Sequence, residues 1–475
     1  MLTSTAYEDS LLSFWPRVRD FAVPPTMIET ATVRRRRGDW AGACAAAGVD
    51  IDFDLRSLAR THGRELVSRV RRDLRHLAPD LLRWHMPRVA PYGLLRPGLT
   101  ITLARYDRAG RDGVRPVHLV ARTPPAWADG GQRIGLALWD GASGAFRDRF
   151  SFDTGARRHP HPRPSRWYRF DLHRHLWDTR RTGELRVRCG AGLPTGDARP
   201  GSADPPAPVP GDLGCAVGRW ADEAGILLRD EGRTAGTVAV RLGARRRLLL
   251  ELAADPAGVG PPVLRTVTAP AGVGDGLAVP ALPDAATWVL PDLALIRAGA
   301  IGAERLHPLV APALVPGHTP AGPGGNADPA GVPRLVECRG ADHRIGLVDG
   351  VLVPLDHDPA EIRREELLVA LTGTPLPCLR AIDEAHRRPH CLPGVRERLR
   401  HGDTAGALAV VEGLLGPDAV LRDGALRDEL QAAALRRVTY GLFRAGLTGP
   451  APDRVRPGRV RPRDHRSHPR ETTRR

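Results

Sequence analysis

The chain contains no lysine. All 70 of its Lys+Arg positions are arginine, and its 475 residues include a single asparagine, Asn326. Coding bias in a GC-rich genome accounts for such a composition, but the chemical consequence holds whatever the cause. A Walker-type phosphate loop needs a lysine ammonium on the β- and γ-phosphates. Protein kinases, pyridoxal-phosphate enzymes and Schiff-base catalysts need one too. These chemistries are excluded in their usual form. Cysteine is also sparse: six residues are scattered along the chain with no CxxC pair. That spacing is no disulfide framework and leads us to expect a reducing, cytoplasmic compartment. The first twenty residues lack a basic stretch followed by an apolar one, so no signal peptide is evident. The most apolar run, ATWVLPDLALIRAGAIGA, is interrupted by Pro291, Asp292 and Arg297, and no membrane span is expected. Aromatic residues make up only 5% of the chain, so Leu, Val and Ala must fill its cores.

What is abundant is positive charge, with a formal net charge of +16. It is unevenly spread. The stretch RRHPHPRPSRWYRFDLHRHLWDTRR, residues 157–181, carries eight arginines against Asp171 and Asp178. The tail from Gly449 to Arg475 carries nine against Asp453, Asp464 and Glu471. These two segments supply twelve of the sixteen excess charges, and such fields favour anionic partners.

Periodicity divides the chain. Residues 1–97 form an N-terminal helical segment. Thr26 with Glu29 suggests a capping box, Gly38 a helix end, and Asp39 and Asp54 the caps of the next helices. From Leu99 the apolar period becomes two. LTITLARY, VRPVHLVAR, RIGLALWD, AFRDRFSFD, RWYRFDL and GELRVRC read as about six strands of an antiparallel β-domain over residues 98–190. A Pro/Gly-rich linker, residues 191–212, leads to a mixed helix-and-strand region, residues 213–315. A second linker spans 316–333. Residues 334–448 read as a hairpin turning at Asp349-Gly350, a helix capped by Asp358 with Pro359 and Glu361, and further helices. Residues 449–475 are expected to be a disordered basic tail. The fold class expected is thus multidomain α+β.

One internal echo stands out. RRGDWAGACA (36–45) and RHGDTAGALA (400–409) match in register, and each precedes an aspartate expected to cap a longer helix, Asp54 and Asp423 respectively. The pattern reads as a helical hairpin in which an Ala/Gly pair lets two helices approach. Shared cap chemistry explains the same match. With LLRWHMPR (81–88), these stretches resemble a set of uncharacterised proteins from GC-rich actinomycetes. That resemblance implies a bacterial cytoplasmic origin and transfers no activity or catalytic residue.

Several constellations can carry chemistry. Arg163, Arg166, Arg169 and Arg174 interleave with Trp167, Tyr168, Phe170 and Trp177, supplying guanidiniums for phosphates and rings for stacking. As a strand, the segment would put Trp167, Arg169 and Asp171 on one face and Arg166, Tyr168 and Phe170 on the other, so one face is expected to pack inward. Tail residues Arg454, Arg456, Arg459, Arg461 and Arg463 add phosphate affinity. Alternatively, the HxH pairs His159/His161 and His173/His175 form a metal site, although Pro160 and Pro162 disturb strand geometry and no HxHxDH pattern occurs. Cys378, His386, His390 and Cys391 offer four zinc ligands at a spacing that matches no known finger. In VDIDFD, Asp54 reads as a cap, with Asp50 and Asp52 facing solvent. Asp356, His357 and Asp358 read as a turn and a cap. GVGDG (272–276) lacks the helix that a nucleotide loop requires, GASGA is not GxSxG, and HExxH is absent.

The function expected is a non-enzymatic module that binds nucleic acid or another polyanion through residues 157–181 and the tail, with no membrane partner. No cofactor is expected, zinc being the one candidate. The alternatives are a metal-dependent hydrolase using the 159–175 histidines, and a protein-interaction scaffold on the helical ends with an unknown partner.

Overall fold

Proline and aspartate set where the first helices begin. A computed structural model describes residues 14–107, 116–140, 163–192, 214–243, 246–253, 263–267, 279–318, 334–373 and 375–448. The expected strand AFRDRFSFD, the GVGDG loop, His159, His161, most of both linkers and the tail lie outside these residues. Helix α1 (Pro25–Arg36) starts at Pro25, whose fixed φ suits a first helical turn. It has no side-chain cap, so the Thr26/Glu29 box does not form. Gly38 follows at φ 77°. Asp39 then accepts a hydrogen bond from Gly42 N at 2.8 Å and caps α2 (Trp40–Ala46). After β1 (Val49–Ile51), Asp54 caps α3 (Leu55–His62). Gly63 at φ 87° separates it from α4 (Arg64–His76), so the expected long helix is two helices. A short α5 (Pro79–His85) completes this part.

Strands β2 (Thr100–Tyr106), β3 (Val117–Arg122) and β4 (Ile134–Trp139) follow. They pair antiparallel in sequence order, and β1 adds to β4 in parallel, Val49 opposite Ile134. The sheet therefore takes a strand from the segment read as wholly helical. RWYRFDL and GELRVRC are not strands. Residues 165–178 form a turn-rich strap along the β2 edge, held by Ser165 N to Thr100 O (2.8 Å) and Asp171 N to Thr102 O (2.9 Å). The strap sends Tyr168, Phe170, Leu176 and Trp177 into the main core from turns rather than from an alternating strand. Trp177 is wholly buried, and its indole N–H donates to Phe170 O at 2.9 Å. GELRVRC contains only a helical turn at Leu185–Arg188.

In the mixed region, α6 (Trp220–Asp230) packs on an antiparallel sheet of β5 (Gly236–Arg241), β6 (Arg247–Ala253) and β7 (Val263–Thr266). Helix α7 (Pro291–Arg297) returns to the main core. Its Asp292 is fully buried. The carboxylate accepts from Arg19 Nη2 (2.6 Å) and Trp84 Nε1 (2.8 Å), with His85 Nε2 at 3.9 Å. LLRWHMPR thus marks a packing hub, in which Arg83 also donates to Ala22 O.

The described residues 14–127 and those between 133 and 318 belong to one compact unit, which holds both the β1–β4 sheet and the β5–β7 sheet. A second unit comprises 128–132 and the described residues from 334 to 448. It contains the antiparallel β8 (Arg334–Cys338), β9 (Ala341–Val348) and β10 (Val351–Pro354). As expected, Asp349 and Gly350, at φ 50° and 76°, make the β9–β10 turn. Helices α8 (Pro359–Thr372), α9 (Pro377–Arg387), α10 (Leu392–His401), α11 (Thr404–Leu415) and α12 (Ala425–Arg444) follow. Asp358 caps α8. Asp423 does not cap α12, whose cap position is Gly424 without a side-chain bond.

The internal echo is a shared cap. Asp403 accepts from Gly406 N at 2.9 Å and from Arg398 Nη1 at 2.7 Å. Asp39 does the same with Gly42 N and with Arg34 Nη1 at 2.9 Å. A Cβ on Gly406 would lie 2.2 Å from Asp403 Oδ2, and one on Gly42 would lie 2.0 Å from Asp39 Oδ2. Both glycines therefore make room for an Arg–Asp pair over the helix start, not for a neighbouring helix. We expect Gly406→Ala to displace this cap and destabilise the second unit by about 1 kcal/mol in denaturant unfolding. The double variant Asp403→Ala/Gly406→Ala should cost no more than Asp403→Ala alone; additive costs would contradict this account.

Candidate anion cleft and metal centre

Arg69, Arg72 and Asp73 lie three and four residues apart on α4 and so share a face. The end of β2 supplies Arg105 and Tyr106, the strap supplies Arg174 and Asp178, and the turn just after it supplies Arg180 and Arg181. Together these residues line an open cleft of about 590 Å³ in the first unit. Its floor is an ion network. Asp73 accepts from Arg174 (2.5 Å), Arg180 (2.8 Å) and the Tyr106 hydroxyl (2.9 Å). Asp178, fully buried, accepts from Arg174 Nη2 at 2.9 Å and Arg180 Nη2 at 2.6 Å. Burial pushes the Asp178 carboxyl up, but hydrogen bonds from Arg180 and Arg174 outweigh it and hold the group below the usual range. Burial, reinforced by Asp73, raises the Tyr106 phenol, which stays protonated and donates.

Six guanidiniums thus face two lining carboxylates, a surplus of four. At the rim, Arg105 pairs with Asp107 at 3.1 Å and Arg181 with Glu184 at 2.5 Å, which leaves a surplus of two. That surplus corresponds to Arg69 and Arg72. Neither has a carboxylate within ion-pair distance among the described residues. Arg69 donates to Asp107 O at 2.6 Å and lies over the Tyr106 ring, while Arg72 is exposed.

Of the binding residues named individually from the sequence, Arg174 reaches this cleft, joined by Asp178, Arg180 and Arg181 of the same 157–181 stretch. Arg169 is held by Asp171 (2.9 and 2.7 Å) and Asp230 (2.6 Å), so its charge is neutralised within the fold. Arg166 lies 4.9 Å from the half-buried Trp167 ring, which Arg241 and Arg247 also approach at 4.8 and 5.8 Å. Arg163 is exposed. Arg454, Arg456, Arg459, Arg461 and Arg463 lie outside the described residues. Asp50 is not solvent-facing only: it takes both arms of Arg133 at 2.7 Å.

The proposed histidine cluster is only partly described. His173 and His175 sit in turns and are buried, 1% and 3% exposed. His173 has Nδ1 at 2.9 Å from Arg169 O, while its Nε2 lies 3.2 Å from Glu223 Oε2, an ion-pair contact without hydrogen-bond geometry. Burial pushes Glu223 up, but His173 and Arg188 outweigh it and hold it far below its ordinary range. Burial drives His175 well down, so it is neutral.

A different group can hold a metal ion. In the second unit, Cys338, His357 and Cys378 each offer a ligand atom within 4.8 Å of the others. Both cysteines are 0% exposed. Cys338 ends β8, His357 follows β10, and Cys378 lies in the first turn of α9. Burial, with the Cys338 sulfur beside it, raises the Cys378 thiol to about 11. The set Cys378, His386, His390 and Cys391 expected from spacing does not gather: among the described residues the last three do not join Cys378. Reading by local spacing missed the group because its members are 19 and 21 residues apart and meet only through the fold. The Asp356-His357-Asp358 triplet is the one local signal the sequence offers there.

Among the described residues, no helix is long and apolar enough to cross a membrane. No protein-family model matches the chain, and no curated protein or solved structure matches it either.

The first unit also carries buried imidazoles. Burial lowers His85 from 6.5 to about 4, with Asp292 opposing only in part. The unfolded chain therefore takes up a proton as pH falls through 6.5, whereas the folded chain does so only near 4. His85 thus contributes stability that is complete above pH 6.5 and lost as pH falls toward 4, about 3 kcal/mol in all. His175 acts in the same direction. The denaturant midpoint, followed by circular dichroism, should fall across this window, and His85→Asn should shallow the fall. A midpoint flat from pH 6.5 to 4 would contradict the assignment.

Proposed function

We propose that the first unit is a binding module for a phosphate-bearing polyanion, nucleic acid foremost, and that the arginine cleft is its site. The observation that carries this reading is the convergence of six guanidiniums on one open cleft with two left unpaired by carboxylate. Arginine presents a planar fork that matches phosphate oxygens two at a time. Arg174 and Arg180 are pre-set by Asp73 and Asp178, so little side-chain freedom is lost on binding. Arg69 and Arg72 supply the uncompensated charge. The Trp167 cluster offers a stacking ring beside three guanidiniums, and the arginines of residues 449–475 add sequence-independent affinity. No general base or nucleophile in the cleft calls for a chemical step. The hydrolase reading gains no support from His173, which is buried with Nδ1 on Arg169 O and Nε2 beside the Glu223 carboxylate.

The test is fluorescence anisotropy of a labelled oligonucleotide against salt, with heparin as a second probe. Affinity should fall steeply as salt rises. Arg69→Ala and Arg72→Ala should each weaken binding and lower the salt slope by about 1. A chain ending at Thr448 should keep the cleft-dependent part. Salt-insensitive binding, or binding unaffected by both cleft variants, would reject the cleft as the site.

For the second unit, we propose that the ion fitting Cys338, His357 and Cys378 is zinc. Two thiolates and an imidazole are soft and borderline donors that suit it. Protein purified under reducing conditions should carry close to one zinc per chain by elemental analysis, lost in Cys378→Ser. Metal-free folded protein that fails to take up added zinc would reject this.

A further inference from the structure

Strand register puts a fourth donor beside this group. Cys338 pairs with Ala341, and Val336 pairs with His343. Residues two apart on a strand share a face, as do directly opposed residues. His343 therefore lies on the same sheet face as Cys338. It shares that face with Ile345, which packs in one cluster with Cys338, Cys378 and Ile382. Arg339 and Gly340, at φ 56° and 81°, make the tight turn that joins the two strands. The His343 ring stacks on that of His357 at 4.2 Å and 14°.

Both rings carry a buried nitrogen without a hydrogen-bond partner, Nδ1 of His343 and Nε2 of His357. Orphaned buried polar atoms are costly and call for an explanation. The His357 side chain is 4% exposed, and its Nδ1 lies 3.6 Å from Glu361 Oε2. A carboxylate on one ring nitrogen commonly orients the other toward a metal. Glu361 is itself held by Arg339 Nη1 at 2.6 Å, one residue beyond Cys338.

Resting on the zinc reading above, we propose that His343 is the fourth ligand, so that Cys338, His343, His357 and Cys378 form a closed structural centre. Zinc displaces the two thiol protons to solvent, and both imidazoles bind neutral. The two thiolates cancel the charge of the ion, as a buried site requires. Parting of the histidine stack lets each ring turn its orphan nitrogen to the ion. The centre ties the β8–β9 hairpin and the turn after β10 to α9. With no position left for water, it has no catalytic role.

The experiment uses the reduced full chain, titrated with zinc against a competing chelator and with cobalt as an optical probe. The wild type should bind one equivalent and give a tetrahedral cobalt spectrum that added azide does not alter. His343→Ala should bind zinc at least about tenfold more weakly, and its cobalt spectrum should respond to azide through an opened fourth position. His343→Cys guards against a folding defect: it should restore affinity and increase the thiolate-to-cobalt absorption. If the wild type binds zinc and His343→Ala binds it equally, with an azide-silent spectrum, the fourth-ligand inference is overturned while the zinc reading stands. If the wild type binds neither metal, both fall.

Discussion

Every buried carboxylate of the first unit among the described residues must be neutralised without lysine, and arginine or histidine does it each time. Asp292 takes Arg19, Asp80 takes His307 at 3.0 Å and Arg35 at 3.4 Å, and Glu223 takes both arms of Arg188 at 2.7 and 2.8 Å. Asp73 and Asp178 share Arg174 and Arg180. Losing one partner of such a buried pair typically costs about 3–5 kcal/mol, because a charge is left uncompensated. These pairs also span long separations in sequence: Arg19 meets Asp292, and Asp73 meets Arg174 and Arg180. They therefore fix which segments lie together.

The same constraint builds the cleft. The strap must close the β2 edge and bury Trp177, which brings Asp178 and its arginines against Asp73 on α4. Two carboxylates then organise two guanidiniums on the cleft floor, and the remaining arginines of α4, β2 and the strap exceed the acids available. A fold that uses planar, permanently charged guanidinium for its internal pairing thus presents the same group, already oriented, to solvent. Arg174 belongs to both roles: it stacks over Trp177 at 4.7 Å and lines the cleft.

Much of the fold was legible where local chemistry decides. The Asp39, Asp54 and Asp358 caps, the Asp349-Gly350 turn, and the period-two runs at β2, β3 and β4 all follow from residues within a few positions of each other. The segment 166–172 misled because its alternation of aromatic and charged residues mimics a strand, whereas its aromatics are needed in the core and its backbone finds only the β2 edge. Gly63 divided a helix that apolar spacing alone made continuous. Arg174 could be singled out from composition, but Arg69, Arg72 and Arg105 could not, since only the packing of α4 and β2 against the strap gathers them. Likewise, the Cys338, His357 and Cys378 group that could hold a metal joins a strand end, a turn and a helix start, whereas short-range ligand spacing set Cys378 with His386, His390 and Cys391.

The central claim is that arginines left over from internal pairing form one anion site. The most direct measurement is residue-resolved arginine modification by phenylglyoxal, read by mass spectrometry with and without a bound oligonucleotide. The account predicts that bound oligonucleotide slows modification at Arg69 and Arg72, while Arg169, paired within the fold, reacts slowly in both states. Unchanged reactivity at Arg69 and Arg72, with protection confined to other arginines, would contradict it.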